Sequence, residues 1–356
     1  MPLDRMIKFY LLFVVLLRLK GCLGFFKLCS YNVHDGGHGL EEMFEVFFRR
    51  YCEVAVVNEA NKWRRNGAET IAKNHDFILE LLETPFGYDI GVLVRSAIAI
   101  VQRGNQTVTG RNEQNSFHHG VLHCVLTEKK LIHHKISSTP LPEETKDQKV
   151  HILATHLSPH SAARRREEST RLLRIIKTIE AQAEEQGEKA AVVLAGDLNT
   201  LSPLDHYAHD EQLMKILRSN PRLCAKFFVE PKFNSIIDYK PMKILLEDLT
   251  DVAFKHSLNH TLPQPTVPTA FHADDLHAAP MRIDYVLLNA QAVASIIDPF
   301  GHAIHIHTQI DDYTKRASDH YPLIVDLPSK KHFFKNGHVI HPISHYTSPH
   351  TTRDTS

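Results

Sequence analysis

Short runs of apolar residues recur along the chain, and each has the length and residue types that predict a buried β-strand. Polar stretches containing Gly, Asp, Asn or Pro separate them. The runs cover residues 25–33, 54–57, 90–94, 97–101, 121–126, 150–155, 190–195, 282–288 and 321–327. Runs 90–94 and 97–101 lie so close together that they predict a hairpin.

A second pattern, with apolar residues three and four positions apart, predicts helices between these strands. It covers 40–50 and returns in a longer form after residue 158. Either Ser158 or Ser161 is the predicted N-cap of that long helix, and Gly187 lies just past its end. Its apolar stripe consists of Leu172, Ile175, Ile176, Ile179 and Ala183.

Strands outnumber helices, and several strands come in adjacent pairs. This combination favours mixed sheets packed face to face with helices outside, an α/β (α+β mixed) fold. No internal repeat and no long flexible linker interrupts the series, so residues 25–327 are predicted to form one domain. From residue 328 the chain turns polar and rich in His, and residues 328–356 are predicted to be a disordered tail.

The first 24 residues are typical of a secretory signal peptide. Arg5 and Lys8 precede the apolar run 9–17, which is too short to span a bilayer as a helix. Small residues follow, and cleavage after Gly24 is predicted. The chain is therefore expected to be secreted or to reside in the lumen of the secretory pathway. An uncleaved anchor, or a start codon upstream of the true one, are the alternatives.

Composition narrows the class of protein. Apolar residues make up 43% and charged residues 23%, which indicates a soluble globular chain with a sizeable core. Lys and Arg together number 41, as do Asp and Glu, so no overall basic field attracts nucleic acid. The cysteines show no CxxC spacing, which argues against a zinc site and leaves the disulfides unassigned.

Polar residues of the kinds used in catalysis stand where the predicted strands end. They are Asn32, Glu59, His156, Asp197, Asn199, Asp319 and His320. A carboxylate at the end of a buried strand is costly unless it is paired or binds a cation. Several such ends in one chain predict a single pocket at one rim of the sheets.

The residue types in this predicted pocket indicate phosphate chemistry with a hard metal ion. Hard oxygen ligands come from Asn32, Glu59, Asp197 and Asp319. Such a set suits Mg²⁺, Mn²⁺ or Ca²⁺ better than Zn²⁺, and the bound metal would polarise a phosphoryl oxygen. His156 and His320 can donate hydrogen bonds to phosphate, and Asp284 can hold an imidazole in place.

The order of these residues resembles the ordered motifs of the endonuclease/exonuclease/phosphatase superfamily, the deoxyribonuclease I-like hydrolases. The motifs are SYNV at 30–33, NEA at 58–60, THL at 155–157, GDLN at 196–199, RIDY at 282–285 and SDHYPL at 318–323. Each is short, but together and in this order they are specific. The resemblance covers 25–327 and implies a four-layer αββα sandwich that hydrolyses phosphate esters with a metal-activated water.

The resemblance also implies metal ligands. Glu59 would be the principal ligand, Asn32 would lie beside the metal and the phosphate, and Asp319 would support that metal or a second one. Mg²⁺ or Mn²⁺ is the expected cofactor, with Ca²⁺ as a further option. His34 stands where some relatives have an acid, which leaves the second metal position open.

Catalytic roles follow from the same resemblance. Asp197 would orient or deprotonate the attacking water, and Asn199 would help to hold phosphate and nucleophile. His156 would contact the scissile phosphate. His320 would donate a hydrogen bond to the phosphate as the pentavalent state forms, and Asp284 would orient His320.

The substrate is a phosphate ester whose remainder the sequence leaves open. A nuclease would use basic and aromatic loops such as 63–65 and 164–166, whereas a phospholipid or sphingomyelin phosphodiesterase would use an apolar rim such as Phe86 or 267–271. A monomer without an obligate protein partner is expected. The alternatives are a catalytically inactive binding module on the same fold and, more weakly, a metal carrier that uses the His-rich tail.

Overall fold

The structure is a computed structural model that describes residues 25–110, 116–128, 149–229, 236–255, 262–270, 277–296 and 305–328. The predicted signal peptide, 1–24, and residues 329–356 of the predicted tail lie outside this description. Within the described ranges the chain forms two β-sheets with helices packed against them.

The first sheet has the strand order β12-β13-β1-β2-β4-β3. Its strands are β1 (Phe25–Asn32), β2 (Val54–Asn58), β3 (Phe77–Leu82), β4 (Ile90–Arg95), β12 (His305–Thr308) and β13 (Leu323–Pro328). Strands β1 and β2 are parallel, and β13 runs antiparallel to β1. The ends of β1 and β2 and the start of β13 therefore lie at the same edge of the sheet.

The second sheet has the order β10-β11-β9-β8-β7-β5, with β6 beside β7. Its strands are β5 (Ala99–Arg103), β6 (Val108–Thr109), β7 (Gly120–Glu128), β8 (Lys149–Thr155), β9 (Ala191–Asp197), β10 (Leu249–Asp251) and β11 (Asp284–Asn289). Strands β8 and β9 are parallel, and β11 pairs antiparallel with β9 so that Asp284 faces Asp197. The same arrangement again gathers strand ends at one edge.

The predicted hairpin of 90–94 with 97–101 is wrong, although both segments are strands. Strand β4 pairs with β2 and β3 in the first sheet, whereas β5 pairs with β7 in the second. Both edges of β4 are occupied, so the turn after Arg95 carries the chain to the other sheet. Strand β3 was not predicted.

The helices begin with α1, which runs as Leu40–Glu42, a π-helical stretch Met43–Phe48 and Arg49–Tyr51. The others are α2 (Ala68–Asn74), α3 (Ala162–Glu185), a 3₁₀-helix (Pro203–Ala208), α4 (Glu211–Ser219), α5 (Pro221–Phe227), α6 (Lys240–Leu246), α7 (Val252–Lys255), α8 (Ala290–Ile296) and α9 (Thr314–Ala317). Of the two predicted caps of the long helix α3, Ser161 is the one used: its Oγ accepts a hydrogen bond from Arg164 N at 3.3 Å.

Three apolar layers hold the sheets and helices together, because alternate residues of each strand face opposite sides. The layer between the sheets includes Leu28, Val56, Val92, Leu122, Ile152 and Val193. Helix α1 packs Phe44, Phe47 and Phe48 on Tyr31 and Val57, and α3 packs Leu172, Ile176 and Ile179 on Leu153 and Val192. Each fully buried side chain of this size contributes roughly 1.5–3 kcal/mol. The layering is the predicted αββα sandwich.

A disulfide joins Cys29 on β1 to Cys52, the residue after α1, with the two Cα atoms 5.8 Å apart. Both cysteines are buried in the outer layer of the first sheet. Among the described residues Cys124 and Cys224 are free thiols. The helices of the described ranges include none with the length and apolar character needed to cross a membrane.

Candidate active site

All eight residues predicted to form the site meet at the rim where the two sheets gather their strand ends. Asn32 ends β1, Glu59 follows β2, and Asp197 ends β9. The other five are His156, Asn199, Asp284, Asp319 and His320, each at a strand end or in the loop next to one. In each sheet two parallel strands end at this rim and an antiparallel strand begins there, so their terminal side chains lie close together.

Four of these residues form a buried, interlocked group that we call the phosphate side: His156, Asp197, Asp284 and His320. The Nδ1 atom of His320 lies 2.7 Å from Asp284 Oδ2. Its Nε2 lies 3.7 Å from Asp197 Oδ2, and His156 Nε2 lies 3.4 Å from the same oxygen. No member is more than 2% exposed. Two imidazoles therefore converge on one carboxylate oxygen.

Burial and pairing give the members of the phosphate side different charges. Burial lowers the pKa of His320, but the Asp284 carboxylate outweighs this and raises the pKa to about 10. Burial raises the pKa of Asp197 to about 6, against the opposing charge of His320. Burial, helped by neighbouring His119, holds the pKa of His156 well below its ordinary value. At neutral pH His320 is thus an imidazolium, Asp197 a carboxylate and His156 a neutral imidazole.

The backbone around Asp197 is fixed by Asn58, whose role sequence reasoning missed. Asn58 Oδ1 accepts a hydrogen bond from Asp197 N at 2.7 Å, and its Nδ2 donates to Thr155 O at 2.9 Å. One side chain thus ties β2 of the first sheet to β8 and β9 of the second. A Cβ at Gly196 would collide with Thr155 O, so only glycine permits this close approach. The amide at the end of an apolar strand was the available signal.

Asn199 stands beside Asp197 in a left-handed backbone conformation, with φ of 49°, which Asn tolerates better than most residues. Its backbone N–H donates to Asp197 Oδ1 at 2.8 Å. Its side-chain amide donates to Leu157 O at 3.1 Å. The geometry therefore gives Asn199 contacts that position Asp197 and the loop that carries His156.

We call the second group, Asn32, Glu59 and Asp319, the metal side. Asn32 Nδ2 donates to Glu59 Oε1 at 3.1 Å and to Asp197 Oδ2 at 3.2 Å, so it contacts both sides of the site. Glu59 has a left-handed backbone with φ of 58°, and its Oε2 accepts from Asp35 N at 3.0 Å. A non-glycine residue held in this conformation costs of order 1–3 kcal/mol and is typical of functional sites.

Asp319 is flanked by two imidazoles. His34 Nδ1 lies 3.2 Å and His277 Nδ1 lies 3.1 Å from its Oδ2 atom. Burial raises the pKa of Asp319, but hydrogen bonds from His277 and His34 outweigh it and hold the pKa well below its usual range. The hydrogen bond with Asp319 raises the pKa of His34 to about 8. Sequence reasoning missed His277, because its loop shows no periodic pattern.

The donor atoms at this rim fit a divalent cation. Among the described residues, two groups of three bring one donor atom per residue within 4.8 Å of the others. The first group is His277, Asp319 and His320; the second is Asp197, Asp284 and His320. Since buried carboxylates are costly without an opposing charge, a cation at the rim would offset their desolvation. Asp319 belongs to the first of these groups, whereas the predicted principal ligand, Glu59, belongs to neither and contacts Asn32 instead.

Two arginines near the predicted strands, Arg282 and Arg95, do not contact the candidate site residues in the structure. Arg282 instead binds Asp205 through Nε and Nη2, at 2.9 and 3.0 Å, and also donates to Asp251. Arg95 lies at the opposite end of the first sheet from Glu59, because Ile90 and not Arg95 faces Asn58. The Arg282 network anchors the start of β11, and Arg95 plays no part at the site.

Aromatic rings lead from the phosphate side to the surface. The His119 ring lies 4.1 Å from that of His156, and Tyr88 lies 4.6 Å from His119, centroid to centroid. Phe86 is stacked on His118 at 5.8 Å with an interplanar angle of 16°. Phe86 is 61% exposed and Tyr88 37%. We call Phe86, Tyr88 and His118 the aromatic rim.

Comparison with protein-family models and with curated proteins gave no match. Solved structures do match. AP endonuclease LMAP from Leishmania major has a TM-score of 0.54 and 14% identity, covering 85% of this chain and 88% of that one. The 3′ phosphatase NExo from Neisseria, bound to a product DNA hairpin, gives 0.53 and 14% over 85% and 99%. Truncated TDP2 from Caenorhabditis elegans gives 0.51 and 14% over 86% and 98%.

These three neighbours share their fold with this chain over most of its length. Their identity to this chain is low, so the likeness establishes the fold and leaves the activity to the site residues. The chain has the deoxyribonuclease I-like fold, as its ordered motifs indicated.

Proposed function

We propose that this protein is a divalent-metal-dependent hydrolase of phosphate esters. The observation that carries the proposal is the contact of Asn32 with both Glu59 and Asp197. The Asn32 amide thus bridges Glu59, a half-buried acid suited to a cation, and Asp197, a buried acid suited to a water molecule. The superfamily of the structural neighbours supports the same chemistry by analogy.

The side chains divide the reaction between them. When bound at Glu59, a divalent cation would polarise a phosphoryl oxygen and offset developing negative charge. Asp197 accepts a proton from, or orients, the attacking water. The water oxygen bonds to phosphorus as the P–O bond to the leaving group breaks, and the released oxygen takes up a proton from solvent. His320, an imidazolium held by Asp284, donates a hydrogen bond to a non-bridging oxygen, where negative charge grows in the transition state. Neutral His156 donates a further hydrogen bond to the phosphate.

Within this class we infer that the substrate is a phosphodiester with a nucleobase close to the scissile phosphate. The aromatic rim supports this inference, because exposed rings stack on the planar faces of bases. Two rings of the rim lie within a few ångströms of the chain His119–His156 that reaches the phosphate side. The loop at Trp63, considered for this role on sequence, presents no ring, since Trp63 is fully buried.

The phospholipid alternative would require an apolar rim of aliphatic groups. Val267, in one of the segments considered for it, is only 1% exposed, and Phe86 is stacked on a histidine. The inactive-module alternative is not favoured, because its expected loss of reactive residues is not seen in this sequence. Secretion remains our proposal for location, and the Cys29–Cys52 disulfide supports an oxidising compartment.

The test is a substrate panel with the purified full-length chain. Single-stranded and duplex DNA, RNA, sphingomyelin and phosphoinositides are incubated with Mg²⁺ or Mn²⁺, with and without chelator. We expect metal-dependent release of product from nucleic acid, loss on chelation, and recovery on adding metal. Asp197→Asn is the matched control and should be inactive. Hydrolysis that ignores chelation would overturn the metal dependence, and cleavage of lipid alone would overturn the nucleobase assignment.

A further inference from the structure

The strand order of the two sheets gives the rim a direction. In the second sheet β7, β8, β9 and β11 are successive neighbours, and in the first sheet β4, β2, β1 and β13 are. The residues at or next to the rim ends of the second set are, in the same order, His119, His156, Asp197 and Asp284. The rim therefore runs from the aromatic rim, beside β7 and β4, through the phosphate side to the starts of β11 and β13. We call this far end the β11 flank.

The distance between the two flanks exceeds one nucleotide. Neighbouring strands of a sheet lie ~4.8 Å apart, so β7 and β11 are separated by about 14 Å. Successive nucleotides of one strand in a duplex rise by ~3.4 Å. A strand that stacks one base on the aromatic rim and places its phosphate at the phosphate side therefore continues toward the β11 flank.

The β11 flank carries an exposed aromatic ring, that of Tyr207, which is 38% exposed. Tyr207 belongs to the 3₁₀-helix Pro203–Ala208, which follows the loop after β9. Arg282, two residues before Asp284, donates two hydrogen bonds to Asp205 and so fixes this helix beside the start of β11. The ring is thus positioned before any ligand binds, which limits the freedom lost when a base stacks on it.

The chemistry of Tyr207 suits a stacked base next to a phosphate. Its hydroxyl donates to Pro263 O at 3.5 Å, so that edge of the ring is turned toward the protein. Burial, together with the neighbouring Asp205 carboxylate, raises the pKa of Tyr207 to about 12, so the phenol is neutral and does not repel phosphate. Tyr88 on the opposite flank is the same type of residue and is 37% exposed. Both flanks therefore present an exposed ring of the kind on which bases stack.

We propose that Tyr207 is a second base-stacking platform on the flank opposite the aromatic rim, so that the protein holds nucleotides on both sides of the scissile phosphate and cleaves within a single strand. The inference rests on the proposed function and extends it from a phosphodiester with one neighbouring base to an internal bond of an unpaired strand. Base faces are open to aromatic rings in single strands, whereas stacking within a duplex covers them. The bonds made and broken are those of the proposed hydrolysis.

The first measurement is binding. Fluorescein-labelled single strands of DNA and of RNA are titrated with the full-length chain in chelator, and fluorescence anisotropy gives Kd. We expect Tyr207→Ala to weaken binding by about 5–150-fold, the effect of one lost base stack, and Tyr207→Phe, which keeps the ring, to stay within about twofold. Ile100→Ala removes an exposed apolar side chain at the end of β5 far from the rim, so it is the control and should bind like the native chain.

Thermal melting of each variant accompanies the titrations. If Tyr207→Ala unfolds, Tyr207→Leu replaces it, because leucine keeps an apolar side chain there without an aromatic face. Native-like affinity in whichever of the two is folded would overturn the inference.

A double variant tests whether the two flanks hold different nucleotides. Phe86→Ala removes a ring of the aromatic rim and should weaken binding by a factor of its own. Combined with Tyr207→Ala, it should weaken binding by the product of the two separate factors, because distant and independent sites add in free energy. A double variant that binds no more weakly than either single variant would place both rings on one base and would overturn the two-sided arrangement.

The second measurement is cleavage. A circular single strand has no end, so only cutting within the strand gives a linear product. Circular and linear strands of one sequence, as DNA and as RNA, are incubated with the full-length chain and Mn²⁺ or Mg²⁺. We expect linear product from the circle, formed more slowly by Tyr207→Ala. Hydrolysis of linear strands with intact circles would overturn the inference and leave the proposed function standing. Binding that depends on Tyr207, without hydrolysis of any strand, would contradict the proposed function and leave the stacking platform in place.

Discussion

The phosphate side and the metal side of this site are built by different means. On the phosphate side every member is buried, and contacts of 2.7 to 3.7 Å link His320 with Asp284 and Asp197. On the metal side Glu59 is half-buried in a left-handed conformation, and Asp319 is met by His34, which borders solvent. Under the proposed function, the protein would supply charge and geometry in advance where bonds change and would leave the cation site accessible to an ion.

The origin of the difference is the sheet. Asp284 and Asp197 are direct partners in the antiparallel pairing of β11 with β9, so their separation is set by backbone hydrogen bonds. Glu59 and His34 instead occupy turns after strands, where the backbone is free to bend. A variant on one side should therefore change a different quantity from a variant on the other.

The largest expected effect is that of His320→Ala. Removing the imidazolium takes away a donor to the charge that develops on phosphate, so turnover should fall by about 10²–10⁴-fold. The affinity for Mn²⁺ should fall much less than turnover, because the proposed acidic ligands Asp319 and Glu59 are untouched. Steady-state kinetics and calorimetric metal titration measure the two quantities.

Stability must be followed in the same variant. Asp284 would be left buried without its partner, which costs roughly 3–5 kcal/mol. The companion Asp284→Asn keeps the imidazole but alters what orients it, and should lower turnover by a smaller factor. A His320→Ala protein that is folded and retains near-normal turnover would remove His320 from the mechanism.

Asn32→Ala should produce the next largest effect, and it should appear on both sides. The amide of Asn32 donates to Glu59 and to Asp197, so its removal should loosen the proposed metal ligand and the proposed water-binding acid together. We expect turnover to fall by roughly 10–100-fold and metal affinity by about tenfold. A loss confined to turnover, with metal affinity unchanged, would show that the two sides act independently.

Sequence reasoning predicted the sandwich and the eight site positions because both depend on local signals. Apolar runs predict strands, and polar residues at strand ends predict a rim. The pairing of β4 with β2 and β3 has no such signal, because backbone hydrogen bonds can join an apolar strand to any other strand with a free edge. His277 was missed for a related reason: its approach to Asp319 depends on how a loop packs, and a lone histidine in a loop has no periodic context.

The smallest expected effect on turnover is that of Arg282→Lys, which tests the scaffold behind the phosphate side. Arg282 stands two residues before Asp284. It donates hydrogen bonds to both oxygens of Asp205 and to Asp251. A lysine cannot make the bidentate hydrogen bonds that Arg282 makes to Asp205, so the free energy of unfolding should drop by about 3 kcal/mol. Turnover per folded molecule should fall only a few-fold, because β11 stays paired with β9. Urea denaturation gives the first quantity and kinetics well below the midpoint the second. A loss of more than about 100-fold in turnover at unchanged stability would mean that Arg282 itself acts on the reacting phosphate. The proposed distinction between a phosphate side built on paired strands and a metal side built on turns would then be wrong.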